Sequence, residues 1–522
     1  MIMIDNIKLA NYKSFFADQV KEAIDEQQKI NRSQMRNLFK TGELSLAYVD
    51  SIQHETGMII LKCPRRMAPR LKVLKGVCII KKGAKQALGE HVTEWICRWD
   101  EFVDNKDFHS PGSDMTPMYY VHTGDSNYDY VACSGFSFKL YDILSKALVD
   151  GKSLSLIVHN PFPPVEYFRN LASYMDAFSS NDELNLEPTI DYEEWTPEEL
   201  AFDEQKPTGI SDTIIDTLAN EHCCIVQGPP GTGKSYTIAS VISSYLDAGK
   251  TVCVTTMANK GLIELIKLTL YGLPQYDLVV IEEASQAFLT AIVAFKQLGI
   301  DCLIVGDPMQ LPPIVKLNNP QYNSWNVATQ VEGLKSMVLG TSIKSYRIVT
   351  TFRLTSRSAS LTKCFYGNRF VSVKQDYLDF TKANSVLFPQ DGGVLYHCTL
   401  DVRNGVYSDK ADAIIRDVIE KLEKFYPDRS LAIITPFRDS VKELQKRFCM
   451  SDLELDITIE TIDRIQGMTV DYAILYIPGR NPGFALEERR FNVATSRSLS
   501  TTLIISDMPL NEFHTVSPTV LQ

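Results

Sequence analysis

The chain has 522 residues, a formal net charge of −11 and a hydrophobic fraction of 44%. Such a length predicts about two to four domains with sizeable cores, and the acidic balance argues against a surface coated for polyanions or lipid. No apolar run reaches the roughly eighteen residues of a membrane span, and the start lacks a basic flank, apolar stretch and small-residue cleavage site, so the expectation is a cytoplasmic protein with no membrane partner.

Eleven cysteines occur without one C-x-x-C spacing. Neither a disulfide framework nor a zinc site is expected, and those inside "CCIV", "VCVTT" and "DCLIV" read as buried thiols.

In chain order, residues 1–180 read as an accessory module. A polar helical pattern at 14–39 precedes short apolar runs, "LSLAYVDSI", "GMIILKC", "KGVCIIKK" and "SLSLIVHN", broken by turn residues as in a β-rich α+β unit. From Lys62 to Lys85 every charged residue is basic, a candidate phosphate-contacting face. From Asp182 to Glu204 every one is acidic, and 181–204 reads as a linker. No internal repeat is visible.

Beyond 205 the texture becomes α/β. "CCIVQ", "TVCVTT", "LVVIEE" and "CLIVGD" alternate with helical stretches such as Lys234 to Ala248, where Ile238, Val241, Ile242 and Tyr245 share a face. A second series, "LAIITP", "DITIETI", "YAILYI" and "TTLIISD", accompanies a helix at Ser408 to Tyr426. Strands separated by helices predict two parallel sheets, assigned here to domains 205–335 and 336–522.

Gly228, Pro229, Pro230, Gly231, Thr232, Gly233, Lys234 and Ser235 spell GPPGTGKS between a predicted strand and helix, with Tyr236 following. This is the phosphate-cradling G-x-x-x-x-G-K-[ST] pattern, whose glycines let backbone N–H groups face phosphate oxygens. Paired carboxylates Glu282 and Glu283 end the strand "LVVI", an arrangement that repels itself unless a cation is near. In P-loop enzymes the last hydroxyl, here Ser235, and a strand-end acid, here Glu282, hold Mg²⁺, which leaves Glu283 to orient or deprotonate water.

Four further motifs follow in order: "GDPMQLPP" at 306–313, "TTFRLTSRS" at 350–358, "TIDRIQGMTVD" at 461–471 and "RRFNVATSRS" at 489–498. Together with the P-loop they resemble superfamily 1 helicases, especially the branch of the up-frameshift RNA helicase and the nidovirus helicases. The resemblance implies two tandem RecA-like domains that hydrolyse ATP with Mg²⁺ and move 5′-to-3′ along single-stranded DNA or RNA. It assigns Gln310 to sensing the γ-phosphate, Arg353 and Arg497 to neutralising it, Phe352 to stacking on the base and Gly467 to donating from its backbone. Thr255, Thr256 and Asn259, with Thr461 in the second domain, become nucleic-acid backbone contacts, implying little sequence preference. Phe352 replaces a family tyrosine and Glu282 a family aspartate; Thr469 stands where close relatives often carry glutamate, and the adenine-reading glutamine has no clear match, Gln205 being the candidate. The zinc-binding N-terminal domain of those relatives has no counterpart, and the accessory module is left as a possible protein-binding surface. A nucleic-acid-stimulated ATPase acting as a clamp or switch would use the same motifs, whereas a decayed ATPase is disfavoured because Lys234, Ser235, Glu283 and both arginines are present.

Overall fold

The computed structural model describes residues 2–34, 36–38, 45–53, 55–56, 58–64, 73–74, 77–80, 116–121, 128–134, 142, 145–146, 155–158, 165–177, 181–256, 275–315, 327–374, 378–401, 405–448, 455–510 and 520. Two compact units partition it: Ala17–Phe168 with Phe448–Asp452, and the remainder of the chain.

The first helix, α1 (Ile2–Asn31), starts and ends earlier than the polar pattern at 14–39 suggests. Leu9, Tyr12, Phe15 and Phe16 supply the reason: they are buried, with Phe16 meeting Phe288 edge-on at 5.5 Å, so packing extends the helix N-terminally. Strands β1 (Ser45–Gln53), β2 (Met58–Pro64), β3 (Val73–Leu74), β4 (Val77–Ile80), β5 (Thr116–Val121), β6 (Tyr128–Ser134) and β7 (Ser155–Val158) form an antiparallel sheet in the order β3-β5-β6-β2-β1-β7-β4. Within the basic stretch Lys62 pairs with Asp50 at 3.7 Å and lies over the Tyr128 ring at 5.4 Å, so one of its charges is already partnered. The stretch's other charged residues lie outside the described residues.

The larger unit holds two parallel sheets. The first takes β8 (Glu198–Leu200), then, after α2 (Gly209–Glu221), β9 (Cys223–Gln227), and after α3 (Lys234–Asp247), β10 (Val252–Thr255), β11 (Tyr276–Ile281), β12 (Gly299–Gly306) and β13 (Lys344–Ile348), in the order β10-β11-β12-β9-β13-β8. Leu278–Ile281 are almost wholly buried because helices cover both faces of a parallel sheet. Ile214 and Leu218 of α2 and Ile238, Val241 and Tyr245 of α3 pack on Val226, Val280, Leu303 and Val305.

Two boundaries differ from the sequence expectation. The segment 181–204 is held in place rather than linking freely: Leu184 and Trp195 are buried, and Glu198–Leu200 pairs in parallel with Tyr346–Ile348. The first sheet also reaches beyond 335, because β13 inserts between β9 and β8.

Next come β14 (Thr350–Thr351), α4 (Ser356–Tyr366) and β15 (Val371–Ser372). The second parallel sheet is built from β16 (Gly393–Cys398), then, after α5 (Asp409–Phe425), β17 (Ser430–Thr435), β18 (Asp456–Thr461) and β19 (Val470–Ile477), and after α6 (Glu488–Thr495), β20 (Ser498–Ser506). Its order is β16-β20-β19-β17-β18. Ser408 caps α5 by accepting from the Ala411 N–H at 3.0 Å, while Ile415, Val418, Ile419 and Leu422 form its buried face. The Glu487 carboxylate caps α6, and Val493 and Ala494 bury against Ile434, Leu475 and Ile504.

Among the described residues the cysteines are free, no cluster of three or more His, Cys, Asp or Glu residues could hold a metal, and no helix is long and apolar enough to cross a membrane.

Leu303 lies fully buried at the centre of the first sheet. Leu303→Ala should cost about 2–5 kcal/mol, read as an earlier urea midpoint for the transition of the larger unit.

Candidate functional site

Parallel sheets gather their chemistry at the carboxyl ends of the strands, and the P-loop leaves β9 there. Gly231 and Gly233 adopt φ of 73° and 76°, a left-handed backbone that a side chain strains. Space is equally restrictive: a Cβ on Gly231 would stand 2.2 Å from the Cβ of Arg353. The loop is tied to the segment after β13, since Phe352 N–H donates to the Gly231 carbonyl at 2.8 Å and the Thr351 hydroxyl to the Pro230 carbonyl at 3.0 Å. Lys234 Nζ donates to the Gly228 carbonyl at 2.6 Å, and Thr232 Oγ1 closes the loop onto the Pro229 carbonyl at 2.9 Å.

The paired glutamates meet this loop from β11. Ser235 Oγ donates to Glu282 Oε1 at 3.4 Å, bringing together a hydroxyl and a carboxylate, hard oxygen donors that fit Mg²⁺. Glu283 has φ 54°, uncommon for a residue with a side chain, and this kink turns it away from the strand direction of Glu282. Gln466, from the loop after β18, donates to Glu283 Oε2 at 3.4 Å.

Both arginines reach the same place. Arg497 is only 2% exposed; its Nε donates to the Val493 carbonyl at 2.7 Å and its Nη2 to Ser496 Oγ at 3.0 Å. Arg353 donates through Nη1 to the Ser496 carbonyl at 3.3 Å. Burial, and then the neighbouring Arg353, pull the Arg497 guanidinium down to about 9. Burial also lowers Lys234, opposed by Glu283 and Asp307 and reinforced by Arg353 and Arg497. Arg353 is lowered by burial, with Glu283 opposing. Among the described residues none of the three cations forms an ion pair within 4 Å. Three positive groups thus share a partly desolvated space with no carboxylate paired directly to any of them among the described residues, an arrangement suited to a polyanion.

Other expected residues surround this centre. Gln310, 4% exposed, donates through Nε2 to Asp307 Oδ2 at 2.9 Å. Phe352, 42% exposed, meets Phe202 edge-on at 5.0 Å beside Gly233, offering an aromatic surface next to the phosphate loop. Gly467 has φ 82° with open space about its Cα, and Tyr236 faces solvent. Thr255 and Thr461 are buried at the ends of β10 and β18, whereas Thr256 is exposed. Asn259 lies outside the described residues. Gln205 is exposed, its N–H donating to Asp203 Oδ1 at 2.9 Å.

Several neighbours had no sequence signal of their own. Phe202 falls in the supposed linker, and Gln466 is a motif residue without an assigned role. Gln227, at the end of β9, donates through Nε2 to Tyr192 Oη at 2.7 Å and to Asp307 Oδ1 at 3.2 Å, and accepts from Arg347 Nε at 2.6 Å.

Parts of the chain are similar to known proteins. Residues 248–318 and 386–509 each match a family described as an AAA domain. The chain is 24% identical over 263 residues to the DNA polymerase alpha-associated DNA helicase A of Saccharomyces cerevisiae, covering 45% of this chain and 38% of that protein. It is 25% identical over 259 residues to helicase sen1 of Schizosaccharomyces pombe, covering 45% of this chain and 15% of that one. It therefore spans well under half the length of these relatives. A solved arterivirus nonstructural protein 10 (helicase) with DNA aligns at TM-score 0.32 and 17% identity, over 58% of this chain and 65% of the other.

If the three cations await an anion, inorganic tripolyphosphate should raise the melting temperature, by an amount equivalent to about 2.7 kcal/mol at a hundredfold excess over its Kd. Arg497→Gln should melt higher than the unaltered chain without anion and gain less from it, because one unpaired buried charge has been removed. Equal shifts in both proteins would place the guanidinium away from the anion.

Proposed function

We propose, from its kinship with the superfamily 1 helicases, that this chain is an ATP-driven motor that moves 5′-to-3′ on single-stranded nucleic acid with little sequence preference and separates duplexes ahead of it. The observation that carries this reading is that Lys234, Arg353 and Arg497, from three separate segments, all lie within electrostatic reach of the Glu283 carboxylate, with Arg353 bonded to the Ser496 carbonyl beside Arg497.

In this reading the backbone N–H groups of 231–235 and Lys234 hold the β- and γ-phosphates at the start of α3. Ser235 and Glu282 would hold Mg²⁺, which supplies charge neutralisation at the phosphate oxygens when bound. Glu283 accepts a proton from water as that oxygen bonds to the γ-phosphorus, while the bond to the β–γ bridging oxygen breaks and its electron pair leaves with ADP. Arg353 and Arg497 take up charge on the γ-phosphoryl oxygens, a contribution typically on the order of 10³ or more in rate. Phe352 and Phe202 give the base an apolar surface. Because Arg497 and Gln466 come from the second sheet's side, nucleotide binding and release would be felt by both sheets, and a strand held across them, with Thr256 among its contacts, would be drawn forward once per cycle.

Glu283→Gln should abolish turnover, with a loss of at least about a hundredfold, and leave nucleotide affinity nearly intact. Lys234→Ala should lose both. ATPase measured with matched single-stranded DNA and RNA, beside strand displacement on substrates with 5′ or 3′ tails, tests the rest. Stimulated hydrolysis without displacement from either tail would replace the motor by a clamp or switch, and turnover near normal in Glu283→Gln would remove the assigned base.

A further inference from the structure

Asp307 is 1% exposed yet forms no ion pair among the described residues. Four neutral donors hold it: Gln227 Nε2 at 3.2 Å and the Met309 N–H at 3.1 Å on Oδ1, with Gln310 Nε2 at 2.9 Å and Tyr366 Oη at 2.6 Å on Oδ2. Tyr366 ends α4, is 1% exposed, and its phenol is pushed up chiefly by burial, so it stays a proton donor. Its oxygen accepts from Asn492 Nδ2 at 2.6 Å, and the same amide nitrogen donates to the Met309 carbonyl at 2.7 Å. The direction of these bonds is fixed by chemistry. The Met309 carbonyl can only accept, so the NH₂ of Asn492 must face it, and the single phenolic proton is then committed to Asp307.

Asn492 lies on α6, which leads directly into Arg497, and Val493 of that helix accepts from Arg497 Nε. Asp307 and Met309 lie on the loop that carries Gln310. We infer that Tyr366 and Asn492 form a hydrogen-bonded latch between the loop of Gln310 and the helix of Arg497, and so act as positioning residues that set these two groups in step. The inference rests on the hydrolysis proposed above. Its logic is one of competition: Gln310 now spends its amide on Asp307, and a γ-phosphate that draws that amide away leaves Asp307 with Tyr366 as its remaining side-chain donor on Oδ2. Tension on that bond is transmitted through Asn492 to α6, since the donors of Tyr366, Asn492 and Gln227 are all committed and leave the network few alternative arrangements.

A network that merely satisfied the core would lose stability when cut, and catalysis only in proportion. The test is steady-state ATPase at saturating single-stranded nucleic acid, with affinity for a fluorescent ADP analogue and melting temperature measured on the same samples. Tyr366→Phe should lower kcat about tenfold while KM and analogue affinity stay within about twofold. Asn492→Ala should do the same, and the double variant should be no slower than the worse single, because both cut one chain. Should Tyr366→Phe not fold, Asn492→Ser, which shortens the donor, carries the same expectation. A kcat within about twofold of the unaltered protein, or losses that multiply in the double variant, would overturn the latch. Absence of any ATP hydrolysis in the unaltered protein would instead remove the proposed function, and the latch with it.

Discussion

Partly desolvated positive charge without directly paired carboxylates, at the mouth of the two parallel sheets, is the constraint on which the rest depends. Arg497 is drawn out of water by packing and Lys234 and Arg353 partly so, and burial is the largest influence lowering each. Placing three cations together is unfavourable, and a chain would not retain the arrangement for stability. It becomes favourable only when an anion of higher charge occupies the space. The core therefore stabilises a site that opposes folding, and a bound anion would offset that cost.

How the fold tolerates this follows from its architecture. Buried parallel strands end at one edge, where their loops are held by short bonds rather than by ion pairs: Gly231 to Phe352, Pro230 to Thr351, Gln227 to Arg347. Arg347 is further steadied over the Trp195 ring at 5.1 Å, and Trp195 is held beside Tyr192. A segment that looks like a solvated acidic connection thus forms one wall of the support for the phosphate loop. Leu184, Trp195 and Leu200 pack inward, most of its acids face solvent, and the half-buried Glu183 and Glu199 are paired with Lys296 and Arg369.

That segment also marks the limit of what sequence could convey. The P-loop, the Glu282–Glu283 pair and both sheets were legible because each is contiguous: a run of glycines, a run of apolar residues, two acids in a row. The resemblance to superfamily 1 helicases supplied Gln310, Arg353 and Arg497, which no local pattern distinguishes from ordinary surface residues. Phe202, Gln227, Tyr366 and Asn492 were not legible, because the partners that give them meaning lie far along the chain, as with Tyr366 and Asp307 or Asn492 and Met309. Helix α1 was misplaced for a related reason. Its N-terminal half is fixed by Phe288, a residue of the first sheet's covering layer, and not by its own periodicity.

The two glutamates illustrate why adjacency in sequence need not mean equivalence in role. Glu282 continues the strand, its N–H donating to the Thr255 carbonyl at 2.8 Å, and its carboxylate is directed to Ser235. Glu283 leaves the strand through a left-handed turn and meets Gln466 from the other sheet's side. A residue held at positive φ without being glycine stores local strain, of order 1–3 kcal/mol, that the surrounding structure must outweigh. Here the turn re-aims the second carboxylate from the direction an extended strand would give it, so that it meets Gln466 within electrostatic reach of Lys234, Arg353 and Arg497. One backbone angle thereby gives two adjacent carboxylates different partners, Ser235 for the first and Gln466 for the second.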